Sequence, residues 1–361
     1  MSDQVQQFQV RRDALAETRM ISSDPAPLAA GEARLAVERF ALTANNITYG
    51  VAGDMIGYWQ FFPASDGFGC IPVWGIARVA ESNHPDVAAG TRCYGYFPMG
   101  TELIVKPEKV SERGFTDATE HRAQLPVVYN QYSTVAPEYG FAHGLDNHAM
   151  LYRPLFTTSF VLDDWLADND DFGAEAVVIG SASSKTGFGL AFMLKRRGEG
   201  APTVVGLTSP ANRAFVAGLG LYDEVLTYDE ADALTQRPTA YVDMAGNRSV
   251  LSAVHRRLAD DLVCSCGVGI THWDARDGAD PAELPGAKPT MFFAPTQIVK
   301  RNEELGPVEY QRRIGDATGA FFAQVDGWVQ VEESPGAEIA TVYQTVLAGA
   351  APDKGYVVSF A

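Results

Sequence analysis

The chain has 361 residues, 46% of them hydrophobic, and carries 45 acidic against 28 basic side chains, a net charge of −17. That length supports two domains with sizeable cores, and the acidic surface excludes nucleic acid and anionic membranes as general partners. No apolar run reaches the ~20 residues of a membrane span, the start lacks the apolar core of a secretion signal, and four cysteines without CxxC spacing read as reduced thiols, so a cytoplasmic protein is expected.

Residues 5–120 read as β-rich. Short strands fit 7–10, 32–40, 72–80 and 91–97, with 103–105 as a further one, separated by Gly, Pro and Asp. Residues 44–50 (ANNITYG) interrupt them with side chains that hydrogen-bond well. Residues 53–75 (GDMIGYWQFFPASDGFGCIPVWG) are rich in aromatics, which either wall a planar ligand or pack a small barrel. Residues 126–132 and 152–160 precede a helix expected to run to Trp165. Asp163, Asp164, Asp168, Asp170 and Asp171 read as a solvated acidic loop rather than a metal site. Cys70 and Cys93 stand alone, and Cys264 and Cys266 lie in an apolar, strand-like run. With no HExxH or His-x-x-His spacing, no metal is expected.

Between 175 and 268 strands and helices alternate. Strands fit 176–179, 203–207, 224–226, 240–244 and 262–266; helices fit 188–197, 210–218 and 248–258. Such alternation means right-handed crossovers and a doubly wound parallel sheet, with a ligand beyond the strands' carboxyl ends. The first unit, EAVVIGSASSKTGFGLAFMLKRR, is strand, small-residue turn and helix, a geometry that aims N–H groups and a positive dipole end at an anion. A P-loop needs glycines where Ile179 and Ser184 stand. A dinucleotide turn needs small residues at its spaced positions, and Ser181, Ser184 and Gly187 supply them. Lys185 at the helix start calls for a compensating anion. The second strand ends without a carboxylate, in Thr208 and Ser209 with Asn212 and Arg213 beyond; Arg213 suits a phosphate. Helical stretches 296–305 and 308–325, a strand 328–331, a helix 337–348 and a strand 356–359 close the chain. Met291, Phe292 and Phe293 form an apolar edge that predicts a homodimer.

Taken in order, these pieces resemble the zinc-free medium-chain dehydrogenases/reductases, the quinone and enoyl reductase branch. Residues 182–187 (ASSKTG) resemble that branch's Ala-Ser-Gly-Gly-Val-Gly turn. Thr208, Ser209, Arg213, residues 219–223 (LGLYD) and Tyr228 resemble its second unit, which carries the adenosine 2′-phosphate contacts. Residues 241–246 (YVDMAG) resemble its fourth strand. Residues 40–46 and 89–95 are similar to its N-terminal barrel signatures, and residues 354–359 to the barrel's closing strand. Residues 157–160 (TTSF) sit where the family's Thr-Ala pair lies beside the nicotinamide, which assigns Thr158. The family's Asn–Asp pair becomes Asn45, Asn46, Thr48 and Tyr49, and the turn has gained serines, a lysine and a threonine, marking a divergent subfamily.

The resemblance implies a GroES-like barrel domain from residues 1–125 with 327–361 and a Rossmann-type domain at 126–326. It implies hydride transfer from NADPH, without zinc, to an activated C=C or C=O of a small molecule such as an enone, quinone or enoyl thioester. The implied cofactor residues are Thr158, Ser181, Ser183, Ser184, Lys185, Thr186, Ser209, Arg213, Tyr228 and Gly267. Without a metal, hydroxyls and amides must stabilise the developing oxyanion and supply a proton, and Asn45, Asn46, Tyr49 and Tyr58 are the candidates, with Tyr132 as a further one. The rival class is a non-catalytic NADPH-binding or redox-sensing protein. No role is expected for the six histidines.

Overall fold

A computed structural model describes residues 4–268 and 283–360. The chain divides into two compact units, Met1–Leu151 with Gln330–Ala361, and Tyr152–Val329. In chain order the first unit opens with β1 (Val5–Arg11), β2 (Ala14–Ser23) and β3 (Ala33–Leu42). Two short helices follow, α1 (Ala44–Val51) and α2 (Gly53–Ile56). Then come β4 (Phe68–Gly69), β5 (Pro72–Ser82), β6 (Arg92–Pro98) and β7 (Glu102–Val105). The strands β8 (Pro107–Ser111), β9 (Gly114–Asp117) and β10 (Gln131–Thr134) complete this part.

Helix α3 (Asp146–Asp168) carries the chain into the second unit. There β11 (Ala176–Gly180), α4 (Lys185–Arg196), β12 (Thr203–Thr208), α5 (Arg213–Gly218) and β13 (Glu224–Thr227) alternate. They are followed by β14 (Thr239–Asp243), α6 (Arg248–Leu258), β15 (Leu262–Gly267), β16 (Thr290–Met291), α7 (Ala294–Leu305) and α8 (Pro307–Val325). The chain then returns to the first unit with β17 (Gln330–Pro335), α9 (Ile339–Leu347) and β18 (Lys354–Ser359).

The second unit's sheet is six-stranded in the order β13-β12-β11-β14-β15-β16, every pair parallel. This is the doubly wound order whose switch point lies between β11 and β14. The strands read as continuous apolar runs because both faces are covered, as in β11, where all five residues are buried. Val178, Val205, Leu207, Tyr241 and Val254 belong to one of its cores.

The first unit pairs a three-stranded sheet, β2-β1-β4, with a nine-stranded one, β17-β18-β3-β5-β6-β10-β9-β8, in which β7 also pairs with β3. Phe8, Phe40, Trp59, Phe61, Tyr96, Phe97 and Tyr343 share its core. A fully enclosed ion pair, Asp117 with Arg122, fixes the end of β9 to the following turn, and the guanidinium lies 5.3 Å from the Phe62 ring centre.

The α/β class and the two-part plan match the sequence reading, and the differences are local. Residues 126–151, read with the second domain, belong to the first unit. Strands β2, β8, β9 and β10 were not expected: β2 and β8 are mixed in polarity and lie at sheet margins, while β9 and β10, inside the larger sheet, are only four residues long. The segment read as an interruption at 44–50 is helix α1. Its start is fixed by a reciprocal cap: the Asn46 Oδ1 accepts from Thr43 N at 2.8 Å and from Thr43 Oγ1 at 3.1 Å. Helix α3 continues through Pro154, where 152–160 had been read as preceding it.

The acidic run is solvated only in part: Asp168 and Asp170 are exposed, while ion pairs hold four of the five carboxylates. Asp163 and Asp171 bind Arg197 at 2.8 Å each. Asp164 binds Arg301 at 3.0 Å, and Asp168 pairs with Lys300 and Arg301. Burial, opposed by Arg197, pushes Asp163 up to about 6.

Candidate functional site

The turn between β11 and α4 is built by its small residues. Ser181 takes a left-handed conformation, φ 56°, and its carbonyl accepts from Ser184 N at 2.9 Å. Ser184 is the N-cap of α4, its Oγ accepting from Gly187 N at 3.1 Å. Helix α4 begins at Lys185 rather than 188, so Lys185 and Thr186 occupy its first turn, whose N–H groups have no intrahelical partners. Gly187 is required by space: a Cβ there would lie 2.8 Å from the Ser181 carbonyl oxygen and 2.9 Å from Ser184 Oγ. Ser159, fully buried on α3, donates to the Thr186 carbonyl at 2.8 Å and ties that helix to the turn.

Three successive strand ends are stitched together here. Thr208 and Thr227 are paired in the register of β12 and β13, so the loops that follow them lie side by side. From the β12 end, Asn212 donates to Ser183 Oγ at 3.1 Å. From the β13 end, Tyr228 bonds Ser181; burial raises its hydroxyl pKa, and that bond opposes the shift. Ser209 N-caps the turn Pro210–Asn212, and Arg213 opens α5. Arg213 Nη1 lies 2.9 Å from Glu230 Oε1. Thr208 Oγ1 and the Tyr241 hydroxyl are buried here and meet no hydrogen-bond partner among the described residues. The sequence reading named Ser181, Ser183, Ser184, Lys185, Thr186, Ser209, Arg213 and Tyr228, and these lie in the loops and helix starts that follow β11, β12 and β13. It missed Glu230, which brings to Arg213 the carboxylate that β12 itself lacks.

The other two cofactor candidates are more confined. Thr158 lies within α3, and its hydroxyl donates back to the Pro154 carbonyl at 3.2 Å. Gly267 ends β15; its carbonyl accepts from Phe292 N at 2.8 Å, and a Cβ there would lie 3.0 Å from Met291 Sδ.

The barrel-side candidates lie in the first unit. Asn46 is spent on structure, since besides its capping bonds its Nδ2 donates to the Pro72 carbonyl at 2.9 Å. Asn45 Nδ2 donates to the Tyr49 hydroxyl at 2.7 Å, one turn along α1. Tyr58 packs on Tyr49 with ring centres 4.4 Å apart, and its hydroxyl meets that of Tyr129 at 3.1 Å. Tyr96 and Trp74 extend this cluster, with centres 4.7 and 6.0 Å from Tyr129. Trp74 Nε1 and the Tyr96 hydroxyl are enclosed without a hydrogen bond of good geometry, although both lie near enough to Tyr49 to favour its anion slightly.

Burial dominates throughout this cluster. It raises Tyr49 well above its ordinary value and pushes Tyr58 up to about 12, with the Tyr129 bond opposing. Tyr129 was not singled out from the sequence, since no spacing rule links residues 71 positions apart. Tyr132 is a core residue, donating to the Tyr96 carbonyl at 2.7 Å. All four cysteines are free and buried. Among the described residues no group of three His, Cys, Asp or Glu side chains could hold a metal.

The solved structures that resemble this chain share its whole length. CurA from Vibrio vulnificus, in complex with NADPH, is 14% identical, with 99% of each chain covered and a TM-score of 0.65. A mutant enoyl thioester reductase from Candida tropicalis is 11% identical, covering 99% of this chain and 100% of the other, with a TM-score of 0.56. The quinone oxidoreductase from Coxiella burnetii is 14% identical over 99% and 100%, also at 0.56. At such identities the likeness establishes the fold. No curated protein sequence matches the chain. Residues 40–352 match the family described as "Protein of unknown function (DUF2855)", so the chain belongs to that family, and it is built on the fold of the medium-chain enoyl and quinone reductases.

Proposed function

We propose that this protein is an NADPH-dependent, zinc-independent oxidoreductase acting on an activated C=C or C=O of a small molecule: an enone, a quinone or an enoyl thioester. The observation that carries the proposal is the donor set at the end of the parallel sheet. A helix N-terminus, Ser184, Lys185 and Thr186 suit a diphosphate, while Ser183, Ser209, Asn212 and Arg213 suit a 2′-phosphate. The missing Cβ at Gly187 lets the Ser181 carbonyl and Ser184 hydroxyl pack against the start of α4, which holds the turn in this shape. The nicotinamide cofactor, when bound, supplies the hydride. That a neighbouring fold was solved with NADPH supports the same reading.

The chain's own work is then to bind, orient and protonate. In this proposal the first turn of α4 would hold the diphosphate, and Thr158 and Gly267 would lie beside the nicotinamide. Tyr58 is the proton donor: with a pKa of about 12 it is matched to an enolate or phenolate oxygen, and the Tyr129 hydroxyl stabilises the phenolate left behind. Asn45 orients Tyr49 as a second donor. Asn46 serves as the cap of α1. The thiols stay reduced in a cytoplasmic setting, and two copies pair through the edge at β16, where Met291 and Phe293 are each 67% exposed.

A second reading, an NADPH-binding sensor without turnover, is favoured by one observation: the barrel's phenols are largely enclosed and hold their protons tightly. Titration of the pure protein with NADPH, then addition of enones and quinones, separates the two. Binding followed by NADPH oxidation supports the enzyme, and binding without oxidation across a broad panel supports the sensor. Absence of binding to either NADPH or NADH refutes both.

A further inference from the structure

We infer that Glu230 limits this protein's preference for a phosphorylated dinucleotide and lets it accept the unphosphorylated one, an inference that rests on the cofactor reading above. Rossmann-type domains that select a free 2′-hydroxyl end their second strand in a carboxylate. Strand β12 ends at Thr208, with Ser209 and Asn212 in the turn beyond it, yet a carboxylate reaches the same place from the next loop. Thr208 and Thr227 are register partners, so residue 230, three positions beyond Thr227, comes level with Arg213, five beyond Thr208.

The carboxylate is held from both sides. Glu230 Oε2 accepts from Thr227 N at 3.0 Å, a capping-box bond that anchors it whether or not a ligand is present. Its Oε1 meets Arg213 at 2.9 Å, with the two side chains 48% and 37% exposed. Asp229 adds a second carboxylate, held below its ordinary range chiefly by a Thr227 hydrogen bond and to a lesser degree by Arg213. A 2′-phosphate docking on Arg213 must therefore share the guanidinium with Glu230 or displace it, and either way the carboxylate stays beside the dianion because Thr227 N retains it. A ribose hydroxyl meets no such opposition and finds an acceptor in the same oxygen. A purely structural role for Glu230 predicts no difference between the two cofactors.

Glu230→Gln tests this cleanly, since glutamine keeps the capping bond to Thr227 N and removes the charge. Dissociation constants for NADPH and NADH are measured on the full chain, wild type and variant, at low and high ionic strength, with thermal melts to confirm equal folding. The variant is expected to bind NADPH roughly 3- to 10-fold tighter at low salt and NADH no tighter, with the gain shrinking in high salt as screening weakens the repulsion. A ratio unchanged within about twofold, or equal shifts for both cofactors, overturns the inference while leaving the cofactor reading intact. A wild-type protein that binds neither cofactor removes both.

Discussion

Substituting Gly187 by alanine probes the turn on which the cofactor reading rests. The added Cβ would meet the Ser181 carbonyl oxygen at 2.8 Å and Ser184 Oγ at 2.9 Å, with Ala182 Cα at 3.4 Å. The first of these is backbone, so either the Ser181 bend or the start of α4 must shift. Losing the Ser184 cap costs about 1 kcal/mol, and forcing a methyl into a filled site about 1–3 kcal/mol. Together the second unit loses about 2–4 kcal/mol, a fall in Tm of roughly 4–16 °C at about 2–4 °C per kcal/mol. Because the displaced groups are those proposed to face the diphosphate, NADPH affinity falls about tenfold or more, as a loss of one to two hydrogen bonds to a charged group implies. Gly319→Ala is the control: it lies on the exposed side of α8 with no atom within 4 Å of the added Cβ. It is expected to gain about 0.5–1 kcal/mol. Scanning calorimetry reads the stability of both variants, and fluorescence titration reads their NADPH binding. A Gly187→Ala protein that melts and binds like wild type refutes the turn's role and the packing argument together.

Arg213→Ala is expected to weaken NADPH about 5- to 30-fold, the charge-assisted bonds to phosphate less the exposed Glu230 pair already present, and to leave NADH nearly unchanged. Lys185→Ala, at the turn proposed for the diphosphate that both cofactors share, is expected to weaken NADPH and NADH alike, and a loss confined to NADPH in paired titrations counts against that placement. Asp117→Asn strands the Arg122 charge in the barrel and costs about 3–5 kcal/mol in urea unfolding at neutral pH, whereas a loss below about 1 kcal/mol contradicts the buried-pair account. Asp163, raised to about 6 by burial, binds a proton more readily folded than unfolded. Its contribution is therefore present at acid pH and lost as pH rises from about 4 to 6, up to about 3 kcal/mol. Asp163→Asn removes that slope, and parallel Tm–pH curves for variant and wild type would contradict it.

What could be read from the residues depended on how far each signal reached along the chain. The parallel sheet was legible because strands covered on both faces are unbroken apolar runs, as at 176–179 and 203–207. Strand β2 was not, because Ala14–Ser23 mixes Glu17, Thr18 and Arg19 with Met20 and Ile21 on an open margin. Helix α1 was missed because asparagines read as turn formers until Asn46 is seen closing a cap. The acidic run 163–171 looked solvated because Lys300 and Arg301, its partners, lie some 130 residues away, at separations such as the 132 of Lys300–Asp168. The turn residues could be proposed because the motif is local. Glu230 and Tyr129 were missed because only tertiary pairing, β12 beside β13 and Tyr58 beside Tyr129, gives them meaning.

The first unit's larger sheet inserts β18 between β17 and β3, running antiparallel to β3 with Val358 opposite Phe40. During synthesis β3 must wait for the partner on that edge, made more than three hundred residues later. All of the second unit leaves the ribosome in that interval, and its strands need only one another. Vectorial folding should therefore run from the middle outward, with the nucleotide-type unit assembled while the barrel's edge at β3 is still open to chaperones or to mispairing.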